Sequence, residues 1–317
     1  IAVFLFSIIH GQKTYVPDLS FENYLETHNS IGDSVALGDP TSMGDGILGN
    51  DSVFTSSINT ISELKIFGLG IADLTGIDSF AALMLLDVSS NQLDSLEISN
   101  SNMPLYEINC GNNQIDYLNI DSVYALTRLY AKKAFDSSFK HLYVMNNIDL
   151  STLDCSNNHL QKIDLTKNLN LDKLICESNN LDTLKIINNS TLKGLYCQNN
   201  QLKVLDLSNN SLLKVLSCSN NQLESLDLSN NLVLDSLVID GNPFNNLDFS
   251  SIDVPILDLS TFSSLTNLDV SNNSSLTSLI CNDLQLTSLT IGNNSALTNL
   301  NCSGNQLSSL ALNTDTF

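Results

Sequence analysis

A period of 21 residues runs through most of the chain and limits the folds that it can adopt. The repeating pattern is LxxLxCxxNxLxxLxLxxNxx, and residues 171–191 fill it as LDKLICESNNLDTLKIINNST. Self-similarity at a fixed period of this size is typical of architectures in which one supersecondary unit recurs and stacks. One repeat cannot bury its own leucines, so the whole stack is the folding unit. We therefore expect a single elongated array.

The cysteines follow the same period, since Cys155, Cys176, Cys197 and Cys218 are each one repeat apart. Their position accepts other small apolar residues in other repeats, so it selects for size and hydrophobicity. Neighbouring Cβ atoms on parallel vectors would be about 4.8 Å apart, whereas a disulfide needs about 3.8 Å. The chain has no CxxC pair, and no histidine shares the cysteine column, so the pattern does not support a zinc site. We predict free, buried thiols. The twelve residues at this position are Ile66, Val88, Cys110, Ala131, Cys155, Cys176, Cys197, Cys218, Ile239, Leu259, Cys281 and Cys302.

Each repeat contains the pattern LxLxxN twice, spaced by about half a repeat. Apolar residues at alternate positions indicate short β-strands, so each turn is predicted to carry two of them. The asparagine after each strand is expected to turn the corner, because it tolerates left-handed backbone geometry and bonds to backbone groups. Stacking would place these amides in columns that link neighbouring turns. They are Asn158, Asn179, Asn200 and Asn221 after the first strand and Asn168, Asn189, Asn210 and Asn231 after the second.

These motifs resemble the leucine-rich repeats, and specifically the nested 21-residue class called IRREKO repeats. The resemblance covers residues 61–317, where the motif recurs about twelve times. It implies a mainly β, right-handed solenoid with two short parallel strands per turn. Residues 12–60, with TYVPDLSFENYLETH and MGDGILGNDSVFTSSINTISELKI, and the following LTGIDSF are similar to the N-terminal cap of leucine-rich-repeat proteins exported by Bacteroidetes. A short cap helix is predicted from Pro17–Asp18 to about Leu25.

Both ends of the sequence bear on its location. Residues 1–11 begin with the apolar IAVFLFSII, which is typical of the end of a secretory signal peptide. The alternative is that these residues form a buried first strand. If they are a signal peptide, the mature chain begins near Gln12. The sequence stops at ALNTDTF in mid-repeat, so the solenoid is expected to continue beyond residue 317. The resemblance implies a sorting domain for type IX secretion in that missing part, and hence a secreted or cell-surface protein.

The charge balance and the lack of catalytic motifs exclude several function classes. The chain has 13 basic and 34 acidic residues, and its net charge of −21 would repel nucleic acids and anionic lipid. No sufficiently long apolar run exists, so no membrane insertion is expected. The string GDSV at 32–35 resembles the start of a GDSL-type esterase motif, but no histidine follows His159 to complete it. We expect a monomer that is not an enzyme and needs no cofactor.

Aspartates in the cap leave one metal hypothesis open. Asp33, Asp39, Asp45 and Asp51 recur at a regular spacing, and exported modules often bind calcium weakly through several flexible oxygen ligands. We therefore consider Asp39, Asp45 and Asp51 as calcium ligands, against the alternative of solvated glycine–aspartate turns. A second acidic column on the repeats, which includes Asp227, is expected to be a soluble surface.

The outward residues of the first strands suggest where a partner docks. Strand exteriors here are mostly Asp, Ser, Asn or Lys, so tyrosines and aliphatic residues there stand out, and aromatic and arginine side chains are common interface anchors. Ordinary surface variation is the alternative. The candidate ligand-binding residues are Arg128, Tyr130, Lys132, Asp154, Lys173, Ile175, Tyr196 and Val238.

The sequence thus favours a non-catalytic, exported recognition module that binds a protein or a glycan through this strand face. Fold alone does not establish function, so this hypothesis rests partly on the resemblance. The competing hypothesis is that the repeats are an accessory or spacer region of a larger exported enzyme. The sequence beyond residue 317 would separate the two, because a sorting domain supports the first and a hydrolase domain the second.

Overall fold

The computed structural model describes residues 11–133, 139–244, 249, 253–260, 262, 265–292 and 294–310. Apart from Gly11, the segment interpreted as a signal peptide lies outside the described residues. The described helices and strands are β1 Lys13–Tyr15, α1 Leu19–Thr27, β2 Ser52–Phe54, α2 Thr55–Ile58, β3 Glu63–Lys65, a 3-10 helix Ile77–Ser79, β4 Leu85–Asp87, β5 Glu107–Asn109, β6 Tyr117–Asn119, β7 Arg128–Tyr130, β8 His141–Tyr143, β9 Thr152–Asp154, β10 Lys173–Ile175, β11 Gly194–Tyr196, β12 Val215–Ser217, β13 Ser236–Val238, β14 Ile256–Asp258, β15 Asn267–Asp269, β16 Ser278–Ile280, β17 Ser288–Thr290 and β18 Asn299–Asn301.

The cap is built around one helix and two buried carboxylates. Asp18 caps α1 by accepting a hydrogen bond from the Phe21 backbone N–H at 2.9 Å. The helix continues past its predicted end at Leu25 to Thr27. Glu22 and Glu26 are fully buried, and each accepts two backbone N–H groups from the loop at 45–50, at 2.6 to 3.0 Å. The helix thereby holds the glycine-rich loop in place.

Within the described residues, neither α1 nor α2 has the length and apolarity that a bilayer crossing requires.

Within the described residues, twelve short strands stack in parallel on one side of the turns, which we call the first side. β3, β4, β5, β7 and β9 to β13 form a nine-stranded sheet, and β14, β16 and β18 form a separate sheet. Leu174 pairs with Leu195, its copy in the next repeat. Twelve such strands bound about eleven turns, and this confirms the predicted mainly β solenoid.

The second side of the turns differs from the prediction of a strand in every repeat. Paired strands form there in two places within the described chain, β6 with β8 and β15 with β17. The corners form backbone hydrogen bonds within their own turn, both in the central repeats and after the paired strand β8, where the Asn147 N–H donates to Val144 O at 3.2 Å. The Asn189 N–H donates to Ile186 O at 2.9 Å, and the Leu192 N–H donates to Asn189 O at 3.1 Å. These corner bonds are therefore common to repeats with and without a paired second strand.

Asparagine columns link the turns as predicted. Asn179 Nδ2 donates to Cys155 O in the preceding turn at 3.0 Å and to Cys176 O in its own turn at 3.1 Å. Its Oδ1 accepts from the Leu160 backbone N–H at 3.0 Å. The left-handed residue of the corner is the one before the asparagine, as at Ser178 with φ 54°, so the expectation that the column asparagine itself adopts that geometry is wrong. The amide is needed for hydrogen bonding and its neighbour turns the chain.

The cysteine column is buried as predicted. All seven cysteines are free; six of them are buried, and Cys302 is half-buried. Burial raises the pKa of the Cys176 thiol to about 12, with a smaller contribution from the neighbouring Glu177 carboxylate. These thiols therefore pack as small apolar side chains between the two sides of the solenoid.

Candidate recognition face

The structure places the eight candidate residues along one surface, the outward side of the nine-stranded sheet, which we call the sheet face. In each three-residue strand of this sheet the middle residue, a leucine or in β5 Ile108, points inward, so its two neighbours point outward. The parallel register brings Tyr130 beside Asp154, Asp154 beside Ile175, and Ile175 beside Tyr196. Val238 ends the row at β13. The sequence therefore located a continuous row, while its role in binding stays a prediction.

The tyrosines on this face are less exposed than the sequence suggested. Tyr130, Ile175 and Tyr196 are half-buried, and of the row only Val238 is exposed, at 45%. Around Tyr196 the cause is visible. Gly194 has no side chain, and a Cβ there would lie 3.4 Å from the tyrosine ring. The Tyr196 ring therefore packs over the space that Gly194 leaves in its own strand, and it is half-buried for this reason.

Lys173 completes this arrangement from the neighbouring turn. Its ammonium nitrogen lies 5.4 Å from the centroid of the Tyr196 ring, a cation–π distance. Because Gly194 leaves space between them, the lysine stem and the ring form one flat surface of mixed polarity. This surface can accept an apolar or aromatic group while the ammonium offers hydrogen bonds at its edge.

Ion pairs between turns surround the row. Arg128 Nη1 lies 3.0 Å from Glu107 Oε2 in the preceding turn, and this contact raises the pKa of the guanidinium. Lys132 Nζ lies 4.0 Å from Glu177, which also accepts a hydrogen bond from the Gln198 side chain. These exposed pairs add little stability. They do fix long side chains over several turns and so give the face a defined pattern of charge.

Sequence reasoning missed the acidic partners in this network. Glu107 lies one repeat before Arg128 and pairs with it in register, so the repeat period could have identified that contact. Asp154 is held differently, because its Oδ1 accepts from the Ser156 N–H at 3.0 Å and from the Ser156 hydroxyl at 2.6 Å. A serine shortly after a strand aspartate is the sequence signal for that turn.

Val238 lies at a break in the first side. In the part of the chain that the structure describes, no backbone hydrogen bond joins β13 to β14. A groove of about 510 Å³ lies between these strands, lined in part by Val238 and Ile256. Ile256 is 60% exposed, so the end of the sheet face is more apolar than its middle.

The cap aspartates do not converge. Asp39 accepts hydrogen bonds from the Thr41 N–H and hydroxyl, and these bonds lower the pKa of its carboxyl. Asp45 forms an ion pair with Lys13 at 2.5 Å and accepts from Asn50 Nδ2. Asp51 sits at a left-handed position, with φ 54°. No group of three metal-ligating acidic, histidine or cysteine side chains forms within the described residues, so Asp45 would have to exchange Lys13 for a cation.

The GDSV string contributes a local hydrogen bond. Ser34 Oγ lies 3.2 Å from His28 Nε2, while His28 Nδ1 faces the Tyr24 backbone oxygen at 3.0 Å. The imidazole also stacks on the Tyr24 ring, with centroids 4.1 Å apart. The three groups close the hairpin after α1, and no carboxylate orients the histidine in the described part of the chain. This arrangement explains the string as a turn in the cap.

Comparison with known proteins identifies the fold. No family model matches the sequence, and no curated protein matches it. An internalin, InlF of Listeria monocytogenes, is similar over 93% of this chain and 92% of its own, at 18% identity and a TM-score of 0.58. The leucine-rich effector protein YopM of Yersinia pestis is similar over 78% of this chain and 73% of its own, at 25% identity and a TM-score of 0.51.

A third solved structure gives the same result. The leucine-rich repeat domain of APL1B covers 82% of this chain and 81% of its own, at 18% identity and a TM-score of 0.55. The fold is that of leucine-rich-repeat proteins. At these identities the likeness concerns backbone architecture, so function has to be argued from the chain's own residues.

Proposed function

We propose that this chain is an exported recognition module that binds a protein through the sheet face. The observation that carries the proposal is the row of Tyr130, Asp154, Ile175 and Tyr196 in adjacent strands. Parallel strands fix these residues relative to one another, so a ligand need not order them on binding. Rigid aromatic contacts of this kind give affinity at a low entropic cost.

The chemistry of the face favours a protein over a nucleic acid. The ion pairs of Arg128 and Lys132 neutralise cations that phosphates would need, and the whole chain carries a charge of −21. The Lys173–Tyr196 pair offers an apolar surface beside a hydrogen-bond donor. Tyrosine and arginine near the centre of a patch, with charged residues around them, is the usual anatomy of a protein interface.

The proposed location is outside the cell. The apolar IAVFLFSII at the start of the sequence supports export, and the cap motifs support membership of the exported Bacteroidetes group with its type IX route. The nested repeat pattern supports the IRREKO class. We also propose that the chain acts as a monomer, because its high net charge opposes self-association. A glycan ligand on the same face and the role of a spacer in a larger exported enzyme are the alternatives.

The test is a screen of the purified chain against an array of extracellular and cell-surface proteins, with each partner then measured by surface plasmon resonance. We expect Tyr130→Ala and Tyr196→Ala each to weaken binding by more than about 1 kcal/mol, roughly fivefold. Asp227→Ala on the second side is the matched control and should have little effect. Equal losses from all three variants, or none from the tyrosines, would remove the sheet face as the site. Absence of any protein partner would favour the spacer role.

A further inference from the structure

A second surface, away from the sheet face, has the features of a ligand site. Two grooves lie on either side of the segment 94–99 on the second side of the turns. One has a volume of about 470 Å³ and faces residues 72–78, and the other has about 610 Å³ and faces residues 117–122. Ser95, Glu97 and Ser99 line both. Each volume falls in the range of small-molecule sites.

The larger groove exists because strand pairing stops at β6. β6 pairs with β8 on one edge, whereas no backbone hydrogen bond joins it to residues 95–98 in the described chain. The two segments are tied at one end, where the Ser122 hydroxyl donates to Ile98 O. Between them the buried side chains of Leu96 and Ile98 form the floor. The groove is therefore an opening between two turns with an apolar base.

Tyr117 lines this groove, and two further aromatic side chains lie beside its ring on the neighbouring strand β8. The Tyr117 and Tyr143 rings have centroids 5.1 Å apart, and the His141 ring is 6.5 Å from Tyr117. Tyr117 is 50% exposed and Tyr143 is 40% exposed. Unlike Tyr130 and Tyr196, which belong to the nine-stranded sheet, these rings project from the two-stranded sheet of β6 and β8. They offer apolar faces to a ligand and hydroxyl groups at its edge.

The groove walls supply hydrogen-bond acceptors. Glu97 is exposed on the shared ridge, and within the described residues its carboxylate has no hydrogen-bond or ion-pair partner. Asn119 Oδ1 accepts from the Asp121 N–H at 3.1 Å, which orients the amide so that its NH2 group can donate elsewhere. A carboxylate acceptor and an amide donor beside aromatic faces match a ligand with several hydroxyl groups on an apolar ring.

We propose that the groove between residues 95–99 and β6 binds an uncharged oligosaccharide, with one sugar ring stacked on Tyr117 and Tyr143 and its hydroxyls bonded to Glu97 and Asn119. A sugar ring combines an apolar C–H face with a hydroxyl rim, as this surface requires. The groove's carboxylates at Glu97 and Asp121 repel sulfated or uronic sugars and phosphates. A basic peptide is the competing ligand, and the test below includes it.

The test is isothermal titration of the full chain with neutral hexasaccharides at millimolar concentration: cellohexaose, N-acetylchitohexaose, maltohexaose and mannohexaose. We expect at least one to bind, and Tyr117→Ala and Tyr143→Ala each to weaken it by roughly tenfold or more. Glu97→Gln should weaken it less, since the amide oxygen still accepts a hydrogen bond. Tyr124→Ala is the matched control and should bind as the unchanged chain does, because Tyr124 is 54% exposed and lines neither groove.

Three results would overturn the proposal: no binding of any of the four hexasaccharides, binding unchanged in both tyrosine variants, or binding of a lysine-rich peptide that depends on Tyr117. Since both tyrosines are largely exposed, the variants are expected to fold, and circular dichroism checks this. The protein proposal for the sheet face stands or falls separately, because its variants lie on different strands and use different ligands.

Discussion

The asparagine columns predict a graded loss of stability when single amides are removed. In Asn179→Ala the structure loses the bonds that the two Nδ2 hydrogens donate to Cys155 O and Cys176 O, with a longer contact to Glu177 O at 3.2 Å, and the bond that Oδ1 accepts from the Leu160 N–H. The Cys155, Cys176 and Leu160 groups are buried, and each lost bond costs about 1 kcal/mol, or more where a buried backbone group is left unpaired. The free energy of unfolding should therefore fall by about 3 kcal/mol.

A second variant, Asn189→Ala, tests whether the loss of stability follows the number of hydrogen bonds removed. Asn189 is fully buried, and Nδ2 donates to Leu165 O at 3.2 Å and to Asn168 O at 2.8 Å. Its Oδ1, however, is buried and has no hydrogen-bond partner. Asn189→Ala removes two bonds and also removes an unpaired buried acceptor, whose presence is itself unfavourable. The expected loss is about 1 to 2 kcal/mol, smaller than that of Asn179→Ala.

Asn170→Ala is the control, because this asparagine is exposed and its two side-chain bonds are long, at 3.3 and 3.4 Å. Urea unfolding followed by circular dichroism gives the free energies. Hydrogen exchange of the Leu160 amide gives a local measure, since Asn179 Oδ1 is the acceptor of that N–H. An Asn189→Ala loss equal to or greater than that of Asn179→Ala would refute the argument from bond counts.

Two further predictions concern the thiols and the cap. The pKa of Cys176 is raised from 9.0 to about 12 in the folded chain, so its contribution to stability is complete below pH 9 and is lost as the pH rises toward 12. Urea midpoints should fall over that window and should fall less in Cys176→Ala; a flat profile would contradict the burial argument. If Asp39, Asp45 and Asp51 bind calcium, millimolar calcium should raise the melting temperature. Asp39→Asn with Asp45→Asn should abolish that rise, and no rise in the unchanged chain would leave the aspartates as turn residues.

The sequence was enough to predict the register of the first side. A leucine that recurs once in every repeat must face its copy in the next turn, as Leu174 faces Leu195, because any other register exposes apolar side chains. The same argument predicted the buried cysteine column and the asparagine links. These properties follow from residue types that recur at a fixed spacing, so each repeat of the chain shows the same pattern again.

Features that depend on contacts between unlike turns could not be predicted in this way. The burial of Tyr196 depends on Gly194 in its own strand and on Lys173 in the turn before. The backbone ladder is interrupted between β13 and β14. Pro255 directly precedes β14 and has no backbone N–H to donate to that ladder. The pattern LxLxxN also overestimated the second strands, since alternation describes which side chains point inward and not which backbone groups pair.

The two proposed sites illustrate where such a solenoid can place function. In the regular turns nearly every inward or corner position serves the stack, so variation is confined to the outward residues of the sheet face. The turn that leads from β6 to β8 is longer than the regular repeat, as the pairing of Tyr117 with His141 shows. This longer turn joins the strand pair that carries Tyr117 and Tyr143. The larger groove lies on the other edge of β6, so the departure from the period adjoins the proposed ligand site.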